Sequence, residues 1–131
     1  MFIDASALIA LLTDEIDAPD LLERLQNANL RVTSPLSVWE AAIAVGRILN
    51  IPIAEASQAL RDYLKLMDIE LAAIPPPLGY AALAAYDRYG KGRHPARLNF
   101  GDCFSYSCAK HFDLPLLFKG DDFTKTDIRA A

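Results

Sequence analysis

An α/β domain built on a short parallel sheet is predicted by three features of the sequence. Short apolar runs of strand length recur at Phe2-Ile3, Leu30–Thr33, Ile69–Ala73 and Leu114–Phe118. Longer segments with apolar residues at helical spacing separate them, and this alternation implies parallel strands with helices on both faces. The 131 residues show no internal repeat, low-complexity tract or interdomain linker, which predicts one domain over residues 1–131.

The elements follow in order. Phe2-Ile3 is a buried strand ended by Asp4, and Ala7–Leu12 suits a short, mostly buried helix. Pro19–Gln26 places Leu21, Leu22 and Leu25 at helical spacing, with acids near its start where the helix dipole favours them. After the strand at Leu30–Thr33, Ser34-Pro35 combines a capping hydroxyl with proline at the first helical position. That helix runs through Trp39, Ala42, Ile43 and Val45 to about Asn50, and another begins near Pro52 with Ile53, Leu60, Leu64 and Met67 along one face. The strand Ile69–Ala73 is stopped by Pro75-Pro76-Pro77. An Ala-rich helix spans Leu78–Tyr89, a polar, basic loop spans Lys91–Asn99, and a helix spans Gly101–Phe112. The strand Leu114–Phe118, a turn at Lys119–Asp122 and a short tail complete the chain.

Composition narrows the function classes. An apolar content of 53% with 23% charged residues excludes a disordered chain. No apolar run approaches the roughly 20 residues needed to cross a bilayer. The start Met1-Phe2-Ile3-Asp4 lacks a basic segment ahead of an apolar one, so no signal peptide is expected. Cys103 and Cys108 are five apart in a helix, which turns them about 500° to nearly opposite faces. Reduced core thiols are expected there, with neither a disulfide nor a zinc site, in keeping with a cytoplasmic protein.

Four acids fall where open α/β sheets gather their active sites, at strand carboxyl ends and the helix starts that follow. Asp4 ends the first strand, and Glu40 lies in the second turn of the helix opened by Ser34. Asp102 opens the helix after the basic loop, and Asp121 follows the last strand with Asp122 as its competitor. Each has a structural reading as well. Asp4 suits an N-cap, Ser37-x-x-Glu40 matches a capping box, Asp102 suits a first helical turn and Asp121 a turn. Together, four carboxylates on one sheet edge would repel one another unless a cation shared them. Hard cations that prefer oxygen, Mg²⁺ or Mn²⁺, suit such a set.

This order of acids resembles the PIN-domain ribonucleases, specifically the VapC-type toxins of bacterial toxin–antitoxin pairs. The resemblance runs from Phe2-Ile3-Asp4-Ala5-Ser6 to Lys119-Gly120-Asp121-Asp122-Phe123-Thr124-Lys125-Thr126-Asp127. Its most specific stretch is His94-Pro95-Ala96-Arg97-Leu98-Asn99-Phe100-Gly101-Asp102-Cys103-Phe104-Ser105-Tyr106. It implies a PIN-like three-layer fold and a catalytic, metal-holding set of Asp4, Glu40, Asp102 and Asp121, or Asp122 at the fourth place. Ser6 matches a hydroxyl position beside the first acid.

The resemblance implies Mg²⁺- or Mn²⁺-dependent endonucleolytic cleavage of RNA. Bound cations would acidify a water for in-line attack on phosphorus and stabilise the leaving oxygen. That route leaves a 5′-phosphate and a 3′-hydroxyl. Arg88, Lys91, Arg93 and Arg97, joined by His94, precede Asp102; they form either an ordinary solvated loop or a surface that meets the phosphate backbone, conferring affinity and not sequence choice. Tyr86 and Tyr89 are candidates for stacking on an unpaired base, and Lys119 and Lys125 for further contacts. The resemblance also implies a cognate antitoxin, bound helix-in-groove, and a homodimer. The Ile53, Leu60, Leu64, Met67 stripe and the flank of Trp39 serve either such contacts or the core.

Two other readings use the same residues. One is a PIN-fold interaction module with little catalysis, against which all four acids stand. The other is a different Mg²⁺-dependent phosphotransfer or phosphatase domain, which usually pairs two acids at the first strand end, where Asp4-Ala5-Ser6 supplies one. The net charge of −4 does not exclude a nucleic-acid substrate, because it is unevenly spread. Residues 1–87 carry 5 basic and 12 acidic side chains, whereas residues 88–131 carry 8 basic and 5 acidic. The four proposed site acids equal the whole excess.

Overall fold

Strand β1 (Phe2–Ile3) leads straight into helix α1 (Ala5–Leu12) because one residue ends the strand and caps the helix. Asp4 has extended backbone, and its carboxylate accepts the Ser6 N–H at 2.9 Å. The computed structural model describes every residue from Met1 to Ala131. Helix α2 (Ala18–Asn27), with Pro19 in its first turn, precedes β2 (Val32–Thr33). Ser34 caps α3 (Pro35–Leu49) by accepting the Ser37 N–H at 3.1 Å, and Asn50 closes it in the left-handed conformation at φ 53°. Helix α4 (Ile53–Leu66), β3 (Glu70–Leu71), α5 (Pro77–Tyr89), α6 (Phe100–His111) and β4 (Leu116–Leu117) follow, then a 3₁₀ turn at Asp122–Lys125.

The four strands form one parallel sheet in the order β3-β2-β1-β4. Its two faces are read off the pleat. Phe2 and Leu116 join the core under α5 and α6, with Val32, Leu78, Leu98 and Tyr106. Their chain neighbours Ile3 and Leu117 join the opposite core, with Leu8, Leu25, Leu60 and Leu64. Helices therefore cover both faces, and the architecture is the expected three-layer α/β fold.

The strands are shorter than their apolar runs. In the run Ile69–Ala73 only Glu70 and Leu71 pair in register, with Val32 and Thr33, and both are exposed at the sheet edge. At the other edge the tail is not loose. Leu116 donates to Arg129 O at 2.8 Å and accepts from the Ala131 N–H at 2.9 Å, so the final residues lie alongside β4.

The apolar stripe of α4 divides as well. Leu60 and Leu64 are core, whereas Ile53 is 54% exposed. Trp39, at 64% exposure, lies outside the core. Cys103 and Cys108 are buried and unpaired, with burial pushing both thiols up to about 11. No helix is long and apolar enough to cross a membrane.

Ser34 is 2% exposed, and its hydroxyl also pairs with that of Ser37 at 3.0 Å. Replacing it by alanine removes the α3 cap and strands a buried hydroxyl. The expected cost is about 1–2 kcal/mol in chemical denaturation, with the fold retained.

Candidate active site

The carboxyl edge of the sheet gathers acids because β1, α3 and α6 all end or begin there. Asp4 is 3% exposed. One carboxylate oxygen accepts both the Ser6 N–H at 2.9 Å and the Ser6 hydroxyl at 2.6 Å. The side chain expected to serve the site is thus also the cap of α1. Ser6 Oγ in turn accepts the Lys119 N–H at 3.0 Å, which ties the end of β1 to the segment leaving β4.

Glu40 is carried by the second turn of α3, two helical steps past the real cap. Ser34, not a Ser37–Glu40 box, starts that helix, so the Glu40 carboxylate is released for other contacts. It lies against the first turn of α6 at Gly101. A Cβ on Gly101 would overlap Glu40 Oε2 and stand 3.1 Å from Glu40 Cδ, so glycine makes the approach possible. Serines reinforce the same helix contact, with Ser37 Oγ 3.5 Å from Ser105 Oγ. Burial, then the charge of Asp4, raises the Glu40 carboxyl above its ordinary value.

Asp102 belongs to a reciprocal capping box. Its carboxylate accepts the Asn99 N–H at 2.8 Å, and Asn99 Oδ1 accepts the Asp102 N–H at 3.0 Å. Its carboxyl is nevertheless pushed up to about 7. Burial is the main cause, with the charges of Asp4, Asp122 and Glu40 adding to it and the Asn99 N–H opposing. Of the two competing acids after β4, Asp122 is the one whose charge bears on Asp102. Asp121 instead lines a cavity of about 480 Å³ on the α2 side, with Asp17, Asp20 and Lys119.

The set is all oxygen and mutually repulsive, which is the donor chemistry a hard divalent cation relieves. Asp4 and Asp102 are each turned onto cap donors, and no three acidic, histidine or cysteine side chains converge on one ion-sized point. Two features escaped the sequence reading. Gly101 as the slot for Glu40 had a signal, a glycine opening a helix beside an acid. Asn99-x-x-Asp102 had the capping-box spacing.

The basic loop closes on itself through Lys91 N–H to Leu98 O and Leu98 N–H to Tyr89 O, both at 3.0 Å. Lys91, Arg93, His94 and Arg97 line an open cavity of about 490 Å³. Arg93 is paired with Asp87 at 2.7 Å. Arg88 departs from the expected group. Its guanidinium lies 4.7 Å from the Tyr89 ring centroid and 3.6 Å from Asp127, outside that cavity. Tyr89 is buried in the core and has no face free for a base. Tyr86 is 40% exposed, and Lys119 is ion-paired with Glu15.

Two outcomes follow from this electrostatics. A carboxyl raised above its unfolded value costs stability only where it ionises, so the Asp102 penalty is absent near pH 4 and complete above about pH 7. Asp102→Asn keeps an acceptor for Asn99 and should stabilise the metal-free protein at pH 8 by a few kcal/mol at most, and far less at pH 4.5, in thermal melts. Gly101→Ala forces only the far end of Glu40 to move. It should leave stability within about 1 kcal/mol while the Glu40 carboxyl falls back toward its ordinary value in an NMR titration.

Comparison with known proteins places this geometry. The PIN domain family matches residues 1–129. The chain is 43% identical over 128 residues to Ribonuclease VapC30 of Mycobacterium tuberculosis, covering 98% of this chain and 95% of that protein. It is 44% identical over 130 residues to Ribonuclease VapC of Mycolicibacterium smegmatis, covering 99% and 98%. In fold it is similar to the crystal structure of Mycobacterium tuberculosis VapC20, a sarcin–ricin loop cleaving toxin. The TM-score is 0.78 at 16% identity, over 99% of this chain and 97% of that one. The family match over residues 1–129 and relatives above 40% identical over nearly their whole length agree: the chain belongs to the PIN domain family.

Proposed function

We propose that this protein is a divalent-metal-dependent endoribonuclease of the VapC toxin type, restrained by a cognate antitoxin. The observation that carries the proposal is the gathering of Asp4, Glu40 and Asp102 at one sheet edge, with Glu40 packed against Gly101 beside Asp102 and the charge of Asp122 bearing on Asp102. The full-length similarity to proteins named ribonucleases supports the same reading.

Asp4, Glu40, Asp102 and Asp122 would hold Mg²⁺ or Mn²⁺, with Ser6 orienting Asp4. Held there, a cation would supply an acidified water as nucleophile and positive charge for the departing oxygen. The carboxylates alone would repel a phosphate, so substrate binding needs the cation as much as turnover does. Lys91, Arg93 and Arg97, next along the chain from the site, offer the backbone a positive surface. Asp122 takes the fourth place ahead of Asp121 because its charge bears on Asp102. The exposed apolar side chains of Trp39, Ile48 and Ile53 suit a protein partner. A homodimer and a cytoplasmic location belong to the same proposal through the family.

The test is cleavage of RNA by the purified protein. Cutting should require Mg²⁺ or Mn²⁺, stop with EDTA and leave 5′-phosphate ends. Alanine at Asp4, Asp102 or Asp122 should lower the rate about 100-fold or more, whereas Asp121→Ala should change it little. Metal-dependent cleavage undiminished in Asp4→Ala would overturn the assignment of the site.

A further inference from the structure

Lys119 lies at the carboxyl edge, two residues beyond β4, and opens the segment that ends in Asp122. Its side chain is about one-third exposed. The ammonium pairs with none of the cluster acids. It reaches back to the connection between α1 and α2, where it pairs closely with Glu15 and lies 3.7 Å from Asp17. Thr13 Oγ1 donates to the other Glu15 oxygen at 3.4 Å. Such a half-buried pair is held more firmly than an exposed one, because less water competes for either charge.

The backbone of the same residue makes a second attachment. Its N–H donates to Ser6 Oγ, and the single proton of that hydroxyl is given to Asp4 Oδ2 at 2.6 Å. A continuous chain of polar contacts therefore runs from Glu15 through Lys119 and Ser6 to the buried Asp4. Beyond Lys119 the chain turns at Gly120, whose φ of +94° suits glycine, and enters the 3₁₀ turn at Asp122. The far end is pinned separately by Phe123, buried and 5.0 Å from Phe118 between ring centroids.

We propose that Lys119 is a positioning residue. Gripped by Glu15 through its ammonium and by Ser6 through its backbone, it ties the segment that carries Asp122 to the Ser6–Asp4 pair and so governs how tightly the carboxylates hold a divalent cation. This rests on the metal-dependent reading above and extends it to residues outside the acid cluster. A direct contact of the ammonium with RNA phosphate is disfavoured, since it would have to give up Glu15. Because Phe123 anchors the other end, loss of the pair loosens the acid without unfolding the domain.

The experiment measures Mn²⁺ binding to the RNA-free protein by electron paramagnetic resonance, beside a thermal melt of the metal-free protein. Glu15→Gln and Lys119→Met should each raise the Mn²⁺ Kd about 10-fold, as loss of an outer support for metal ligands does. Their melting temperatures should stay within a few degrees of the parent, and Lys119→Arg should keep the parent's affinity. Unchanged Mn²⁺ affinity in Glu15→Gln and Lys119→Met, with Asp4→Ala losing it, overturns the positioning role alone. Weakened RNA binding with unchanged Mn²⁺ affinity identifies the ammonium as a phosphate contact instead. If the parent binds no Mn²⁺, the metal-dependent reading falls, and the positioning role with it.

Discussion

Asp4 is a carboxylate almost wholly removed from solvent at the end of the first strand, and the site is organised around that constraint. An isolated buried charge is too costly to persist, so it needs donors or a partner ion. Ser6 supplies a backbone N–H and a hydroxyl proton. No basic side chain is spent on neutralising it, and its charge adds to the burial that raises the carboxyls of Glu40 and Asp102. The protein keeps its negative charges together and leaves them unresolved. Such an arrangement makes physical sense where something positive arrives from outside, and it favours the cation reading over a purely structural one.

Helix starts do most of the work of assembly. Asp4, Ser34 and Asn99 each satisfy the first turn of a helix, and each stands at the same edge. In the first and third cases the capping group is itself a site acid or bonds to one. Capping therefore does not exclude the proposed metal-holding role of Asp4 and Asp102. The donors that begin α1 and α6 also fix the direction of these side chains.

The sequence made the order of elements legible because alternation, Ser34-Pro35 and the triple proline act locally. It made the acids legible because strand ends are short and apolar flanks set Glu40 and Asp102 apart. What it hid depends on contacts between distant segments. Nothing local to Gly101 tells which side chain fills the space above it, and nothing local to Lys119 names Glu15 as its partner. Which of Asp121 and Asp122 bears on Asp102 depends on how the chain turns at Gly120, which adjacent sequence does not reveal. Arg88 illustrates the same limit, since its charge reads as part of the basic loop while Tyr89 and Asp127 hold it elsewhere.

The two-residue strands place Phe2 and Leu116 on one side of the sheet and Ile3 and Leu117 on the other. The sheet thus works as a partition only one side chain thick on each face, with two separate hydrophobic compartments. The two compartments meet again where α3 packs on α6, through Ser37 and Ser105. The acids belong to neither compartment; they stand at the seam. A lineage of such proteins would be free to rework either interior, or the outer surfaces of its helices, while the chemistry at the seam stays fixed.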